Sequence, residues 1–242
     1  MERAGGMGSL PQPGRRWHKI VGCTSGGEKG RFSMASCILV SGFEPFGGLA
    51  TNPALEVLSL LPPEAAGHAV QTVAVPVEYG RCVERVMAAV EEYDPIAVVM
   101  VGQARGRAEV TVERVAVNVD DATVPDNAGE VRRGMPINPA GPAAYLSTLP
   151  VRDLVERACA AGVPTDVSDT AGCYVCNHLM YGVLDALAAS GRADRVAAGF
   201  VHVPLMHAQV IEGGIHGEPS MAIADIARAL TAMVEELASA AI

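Results

Sequence analysis

Residues 196–203 read Val196-Ala197-Ala198-Gly199-Phe200-Val201-His202-Val203, an apolar run whose one ionisable member is His202. Unbroken apolar runs of this length are typical of strands that are buried on both faces of a parallel sheet. Residues 97–101 have the same character. Both runs therefore predict central strands. His202 stands at the carboxyl end of one of them, where the functional sites of open α/β sheets collect.

Short apolar runs and longer stretches of helical periodicity alternate along the chain from Ile38 onward. This alternation is typical of α/β layering. We predict a single-domain three-layer α/β/α sandwich with a mostly parallel twisted central sheet. The predicted strands are residues 38–41, 70–75, 97–101, 165–168 and 196–203, and the predicted helices are residues 54–61, 79–93, 151–161, 176–190 and 221–238.

Three segments have a different pattern. Residues 109–118 alternate valine with polar residues, which indicates a half-exposed strand or a hairpin arm. Residues 120–142 are rich in proline and glycine, and a loop of that length is more often functional than not. Residues 1–33 are rich in Gly, Ser and Arg without apolar periodicity, and we expect a disordered extension there, with Met34 as the biological start.

The overall composition argues against several classes of partner. The formal net charge is -9 and lysine occurs only at positions 19 and 29, whereas nucleic-acid binding draws on clustered Lys and Arg. No apolar run reaches the roughly 18 residues of a membrane span, and no secretory signal is recognisable. We therefore expect a cytoplasmic protein with no nucleic-acid or membrane partner, whose six cysteines are reduced thiols.

Cys176 lies in the stretch Thr170-Ala171-Gly172-Cys173-Tyr174-Val175-Cys176-Asn177-His178-Leu179-Met180-Tyr181. A turn of small residues there leads into the first turn of a predicted helix. Unpaired N–H groups and the positive end of the helix dipole favour a thiolate at that position, and the same N–H groups can receive an oxyanion. The stretch thus predicts the nucleophile half of a cysteine hydrolase.

A thiol nucleophile needs a histidine and a group that orients the histidine. His178 is two residues from Cys176, so on one helix the two side chains point to different sides. His202 is the better partner because it ends a buried strand. The spacing leaves the orienting acid open among Glu113, Asp120, Asp121, Asp126 and Asp169.

Several blocks together resemble one family. They are residues 39–48 (LVSGFEPFGG) with Asn52-Pro53, residues 101–107 with 112–118, residues 124–127, the Cys176 stretch, and residues 199–204 (GFVHVP). In this order and spacing the chain is similar to pyroglutamyl peptidase I, also called pyrrolidone-carboxylate peptidase. The resemblance runs from Cys37 to the C-terminus and implies that residues 34–242 form one catalytic domain.

The resemblance implies a cysteine peptidase, without metal or cofactor, that removes N-terminal pyroglutamate from small peptides through an acyl-enzyme. Carried over position by position, Cys176 is the nucleophile, His202 the acid and base, and Glu113 the orienting carboxylate. The implied substrate-binding residues are Phe43, Phe46, Asn52 and Gln103. Family members are often homotetramers, so we expect a homo-oligomer.

Two alternative functions start from other features. Cys173 and Cys176 form a C-x-x-C pair, which could be a redox dithiol or, with His178, half of a metal site. A second ligand pair at metal-binding spacing is missing from the sequence. The third possibility is an α/β binding module that keeps the pocket without turnover. The chain also departs from the family at Arg105, where members often have glycine, and at Thr123, where many have arginine.

Overall fold

The predicted apolar runs form the centre of a seven-stranded sheet in the computed structural model, which describes residues 36–240. The predicted extension, residues 1–33, lies outside the described residues. The strands are β1 (Cys37–Phe43), β2 (Glu64–Ala65), β3 (His68–Val75), β4 (Ala97–Gln103), β5 (Val110–Glu113), β6 (Val115–Val117), β7 (Ala144–Leu146), β8 (Thr165–Ser168), β9 (Ala197–Val203), β10 (Leu205–Met206) and β11 (Ser220–Met221). The α-helices are α1 (Pro53–Glu56), α2 (Arg81–Tyr93), α3 (Val151–Ala160), α4 (Val175–Ala189), α5 (His207–Glu212) and α6 (Ile223–Ala240).

The sheet has the strand order β2-β3-β1-β4-β9-β5-β8. Strands β3, β1, β4 and β9 are parallel to one another, and the β5 and β8 pair is parallel within itself. Antiparallel pairing occurs where β2 meets β3 and where β5 meets β9. The sheet is therefore mostly parallel, as predicted, with a change of direction beside β9.

Two apolar clusters cover the two faces of this sheet. Helices α1, α3 and α6 pack on one face around Val99 and Val201, and helices α2 and α4 pack on the other around Met100 and Phe200. Side chains alternate between the faces along each strand, so neighbouring residues of one strand join different clusters. The predicted three-layer α/β/α sandwich is confirmed.

The helix that carries Cys176 is apolar on most of its surface because it is buried. Tyr174 is its N-cap in extended conformation, and Gly191 follows its end with a φ of 68°. That left-handed conformation favours glycine and ends many helices. The predicted helix 176–190 thus agrees with α4 to within one residue.

Two sequence predictions were wrong in detail. The prediction of a half-exposed strand or hairpin arm at residues 109–118 fails for β5, which is buried along its whole length between β9 and β8. It holds for β6, which is half-buried and pairs antiparallel with β7. The polar residues of β5, Thr111 and Glu113, point to the face that carries α2 and α4. The predicted helix 54–61 is only α1 followed by a 3₁₀ turn, Val57–Leu60, because Leu61 precedes Pro62 and takes extended angles.

The predicted functional loop, residues 120–142, is irregular apart from an isolated bridge between Asp120 and Met135. It runs from the end of the β5–β6 segment to β7. Among residues 36–240, no helix combines the length and apolar character that a membrane span requires.

A substitution at Gly42 tests the packing of α1 on the sheet. A Cβ atom at Gly42 would lie 1.9 Å from the backbone oxygen of Ala54, which cannot move without moving the helix. We expect Gly42→Ala to lower the free energy of unfolding by about 3 kcal/mol, at the upper end of overpacking effects. Urea denaturation measures this change.

The neighbouring residue supplies the control. Ser41 is fully buried and its hydroxyl has no hydrogen-bond partner among the described residues, so Ser41→Ala is expected to leave stability equal or higher. Equal stability of Gly42→Ala and wild type would contradict the close packing of α1.

Candidate active site

Cys176 lies at the carboxyl edge of the sheet, in the first turn of α4 and above β4. A Cβ atom at Gly102 would lie 3.1 Å from Cys176 Sγ and 2.6 Å from the Phe200 ring, so only glycine leaves room for both groups. Gly102 pairs with His202 in the parallel ladder between β4 and β9. Directly paired residues share a face of the sheet, so the sulfur and the imidazole lie on the same face above neighbouring strands.

His202 is fixed by a carboxylate from the next strand. It is 4% exposed, and its Nδ1 donates to Glu113 Oε1 over 2.7 Å. Glu113 is fully buried at the end of β5 and faces Phe200 across the antiparallel pairing. With Nδ1 protonated toward Glu113, Nε2 is the unprotonated nitrogen, and no group of residues 36–240 hydrogen-bonds to it. The imidazole can therefore accept a proton at Nε2.

Arg107 binds the same carboxylate oxygen as His202. Its Nη1 donates to Glu113 Oε1 over 2.7 Å and also contacts the Thr111 hydroxyl. Its Nη2 donates to the backbone oxygen of Thr170, in the segment that leads to Cys176. Arg107 thus ties the carboxylate to the turn before the nucleophile. Sequence reasoning included Arg107 in a motif without giving it a role.

The ionisation states of the three groups follow from burial and neighbouring charges. Burial alone would raise the pKa of Glu113, but the hydrogen bond and charge of His202, with Ser168 and Arg107, hold that pKa below its usual value. Burial lowers the pKa of His202, although the Glu113 charge opposes this effect. Near neutral pH the pair is therefore a carboxylate and a neutral imidazole.

The thiol differs from the sequence expectation. Burial, followed by the charge of Glu113, raises the pKa of Cys176 to about 12, against the smaller lowering by Arg107 and a backbone amide. The prediction that the helix N-terminus holds a resting thiolate was wrong, because the cost of desolvating the charged sulfur exceeds the stabilisation from the amides. A sulfur that rests as a thiol needs a base before it can act as a nucleophile.

Backbone N–H groups at the start of α4 remain as donors. The first intrahelical bond of this turn runs from the N–H of His178 to the oxygen of Tyr174 over 3.1 Å. The amides of Val175, Cys176 and Asn177 precede it, and such amides have no partner within a helix. They lie beside the sulfur, where an oxyanion would form.

The predicted substrate-binding phenylalanines lie on the same side of the sheet. Phe43, at the end of β1, is 2% exposed and packs against Phe200 with ring centroids 6.4 Å apart. Phe46 is half-buried and lies 6.3 Å from the ring of Tyr174, the residue that precedes α4. Tyr174 was not among the predicted residues, although its place two residues before Cys176 is a usable signal.

Asn52 and Gln103 occupy different positions from the phenylalanines. Asn52 is fully buried; it accepts from the Ala54 N–H over 3.0 Å as the N-cap of α1 and donates to the oxygen of Glu44. Gln103 alternates with Gly102 and so points to the opposite face, where its Oε1 accepts from Gln209. Their predicted role in substrate binding stays a prediction.

Comparison with known proteins then decides the family. The family model described as "Pyroglutamyl peptidase" matches residues 36–240. The chain belongs to the pyroglutamyl peptidase family. It is 43% identical over 200 residues to the pyrrolidone-carboxylate peptidase of Levilactobacillus brevis, covering 83% of this chain and 96% of that one. It is 40% identical over 200 residues to the enzyme of that name from Clostridium perfringens, covering 83% and 92%.

Solved structures agree with the family assignment. The crystal structure of pyroglutamyl peptidase I from Bacillus amyloliquefaciens is similar, with a TM-score of 0.79, 34% identity, and coverage of 84% of this chain and 97% of that chain. A mutant pyrrolidone carboxyl peptidase from Pyrococcus furiosus gives a TM-score of 0.78 at 35% identity, covering 84% and 97%. The resemblance seen in the sequence is confirmed, and the protein is a cysteine hydrolase of the pyroglutamyl-peptidase I type.

Replacing Arg107 by methionine tests its effect on the Glu113–His202 pair. Loss of the guanidinium removes a charge that lowers the pKa of both groups, so both pKa values are expected to rise. The acid limb of the kcat/KM profile should then move to higher pH by about half a unit or more. Steady-state rates across pH 4.5 to 8 measure the shift.

Arg105→Met is the matched control. Arg105 lies two residues earlier and pairs with Glu218 through a side chain that is 62% exposed. The acid limb of the kcat/KM profile of Arg105→Met should therefore lie at the same pH as that of wild type. An unmoved limb in Arg107→Met would show that Arg107 does not tune the pair.

Proposed function

We propose that this protein removes N-terminal pyroglutamate from peptides, with Cys176 as nucleophile, His202 as acid and base, and Glu113 as the carboxylate that orients His202. The observation that carries the proposal is the buried His202–Glu113 pair, 2.7 Å between Nδ1 and Oε1, on the sheet face above which Cys176 lies. Membership of the pyroglutamyl peptidase family supplies the substrate class.

In the first step His202 Nε2 takes the proton of Cys176 Sγ as the sulfur attacks the pyroglutamyl carbonyl. A neutral imidazole suits this role, since Cys176 rests as a thiol. Glu113 stabilises the imidazolium that forms and keeps Nε2 directed at the sulfur. The amides at the start of α4 receive the oxyanion of the tetrahedral intermediate.

The later steps reverse the direction of proton transfer. The tetrahedral intermediate collapses when His202 gives its proton to the leaving amine, and the pyroglutamyl group remains as a thioester on Cys176. Water then attacks the thioester while His202 takes the water proton. Release of pyroglutamate restores the thiol and the neutral imidazole.

Selectivity follows from the neutral lactam ring of pyroglutamate, which replaces the ammonium group of other peptide N-termini. Phe43 and Phe46 offer aromatic rings that suit this flat, uncharged lactam. Asn52 supports them by fixing the segment between Glu44 and α1. Gln103 is the proposed polar partner of the ring. Its side chain lies on the opposite face of the sheet and accepts from Gln209, so the ring would have to meet it at the carboxyl end of β4.

The wider predictions remain part of the proposal. We propose that residues 34–242 act as one catalytic domain in the cytoplasm, without metal or cofactor. The partners are small pyroglutamyl peptides and further copies of the chain, as a homotetramer. The resemblance to the family supports these statements.

Substitution of the three proposed catalytic residues tests the mechanism. Cys176→Ala and His202→Ala are expected to abolish amine release from a fluorogenic pyroglutamyl amide, since neither the nucleophile nor the base has a substitute. Glu113→Gln should lower kcat by about 10² to 10⁴, because an amide no longer stabilises the imidazolium. Prolyl and glutamyl amides should remain poor substrates throughout.

Binding separates the enzyme from a binding module. Cys176→Ala should still bind a pyroglutamyl peptide in calorimetry while it releases no amine. A wild-type protein that binds the peptide without turning it over would support the module instead, and an active Cys176→Ala would remove the nucleophile assignment.

The fall of wild-type activity at low pH tests whether His202 rests as a neutral imidazole. His202 must be neutral to accept the thiol proton, and burial places its pKa below the ordinary 6.5. Activity is therefore expected to be full at neutral pH and to fall as pH drops, with a midpoint below 6.5.

Iodoacetamide alkylation of Cys176 should follow the same limb, because the thiol needs His202 as base. Alkylation whose rate stays constant well below that midpoint would indicate a resting thiolate and contradict the neutral pair. Mass spectrometry of the alkylated peptide identifies the cysteine that reacts.

A further inference from the structure

A second buried histidine and carboxylate lie beside the proposed nucleophile. His178, two residues after Cys176, is 5% exposed and Asp120 is fully buried. Nδ1 of His178 donates to Asp120 Oδ2 over 2.9 Å, and its Nε2 accepts from the Gly80 N–H over 3.0 Å. Both ring nitrogens are occupied, so this histidine cannot serve as the base. The proposed mechanism gives the pair no role.

Arg132 joins this pair to the loop 120–142. Its Nη1 donates to the same Asp120 oxygen over 3.0 Å, and its Nε donates to Glu130 over 2.6 Å. Asp120 Oδ2 therefore receives one hydrogen bond from α4 and one from the loop. The carboxylate connects the nucleophile helix to a segment that is otherwise irregular.

The connection continues into the aromatic residues near Cys176. The guanidinium of Arg132 lies 4.5 Å from the centroid of the Tyr79 ring. Tyr79 in turn meets the rings of His178 and Tyr174 edge-on, at 5.3 and 6.0 Å. Tyr174 packs against Phe46, and its hydroxyl donates to the oxygen of Pro125 in the same loop.

The described residues thus contain two substructures near Cys176 that share no hydrogen bond or ion pair. His202, Glu113 and Arg107 handle the proton, whereas Asp120 with its two partners contacts the aromatic residues. The hydrogen bonds and ion pairs of Asp120 within residues 36–240 go to His178 and Arg132, together with its backbone bonds to Met135, and none reaches the first group. A change in Arg132 can therefore move Tyr79 and Tyr174 while His202 and Glu113 stay in place.

We propose that Asp120, His178 and Arg132, here called the Asp120 network, position the aromatic wall formed by Phe46, Tyr174 and Tyr79 and thereby determine affinity for the pyroglutamyl ring. Arg132 is a positioning residue in this scheme, because it acts through Tyr79 and Asp120. The inference rests on the proposed function, since it concerns the pocket of that same reaction.

Arg132→Met tests the network on the full-length protein with a pyroglutamyl fluorogenic amide. Methionine keeps much of the side-chain volume but loses the hydrogen bonds to Asp120 and Glu130 and the cation over Tyr79. We expect KM to rise about tenfold while kcat changes by less than about threefold. The iodoacetamide alkylation rate of Cys176 and the acid limb of kcat/KM should match wild type.

Two further variants make the test specific. Arg132→Lys keeps the charge, so it should recover part of the lost affinity, though not the planar stacking or the second hydrogen bond. Arg133→Met is the matched control, because Arg133 is the next residue, is 62% exposed and pairs with an exposed Asp121. Its KM should equal that of wild type.

A double-mutant cycle with Asp120→Asn checks that the two residues act together. If the two residues act through one contact, the fold-increase in KM of the double variant Asp120→Asn/Arg132→Met should be well below the product of the fold-increases of the two single variants. Multiplicative effects would overturn the network as a unit. Thermal unfolding of each variant confirms that the comparison is between folded proteins.

The outcomes separate this inference from the proposed function. Wild-type protein that does not hydrolyse the pyroglutamyl amide would end the proposed function. Active wild type with an unchanged KM in Arg132→Met, or with kcat and alkylation rate lowered as much as affinity, would overturn the positioning role alone.

Discussion

The buried hydrogen bond between His202 and Glu113 is the interaction on which the site depends. A carboxylate without exposure is stable only when its charge is matched, and here the imidazole N–H and the Arg107 guanidinium share one oxygen. The bond also fixes the imidazole tautomer, so that Nε2 accepts. It forms because β5 runs antiparallel to β9 and brings Glu113 to the face that carries His202.

The structure contains two buried histidine–carboxylate pairs, and they differ in whether the imidazole Nε2 has a hydrogen-bond partner. His202 and His178 both donate Nδ1 to a buried carboxylate and both receive an arginine on that carboxylate. A backbone amide from Gly80 occupies Nε2 of His178, whereas no group of residues 36–240 forms a hydrogen bond to Nε2 of His202. The His202 pair therefore leaves one ring nitrogen open to a proton, and the His178 pair leaves none.

Burial has opposite effects on the nucleophile and on its pocket. It raises the pKa of the Cys176 thiol, which makes the sulfur dependent on a base. The same absence of water strengthens the hydrogen bonds around Glu113 and Asp120 and lets aromatic rings form the pocket wall. Gly102 permits the sulfur to lie this close to β4, because a Cβ atom there would be 3.1 Å from Cys176 Sγ.

The sequence by itself determined the layers, the strands β1, β3, β4, β8 and β9, and the helices α2, α3, α4 and α6, since long apolar runs and helical periodicity report burial directly. It also indicated Cys176 and His202 as candidate partners, from a helix start and a strand end, while Glu113 followed only from resemblance. Tertiary structure decided the rest. The buried state of β5 was misjudged because its polar residues face an interior site, and a pattern of alternation cannot distinguish an interior site from solvent. The resting thiol, Arg107 and the Asp120 network depend on desolvation and on contacts between distant segments, which local sequence does not encode.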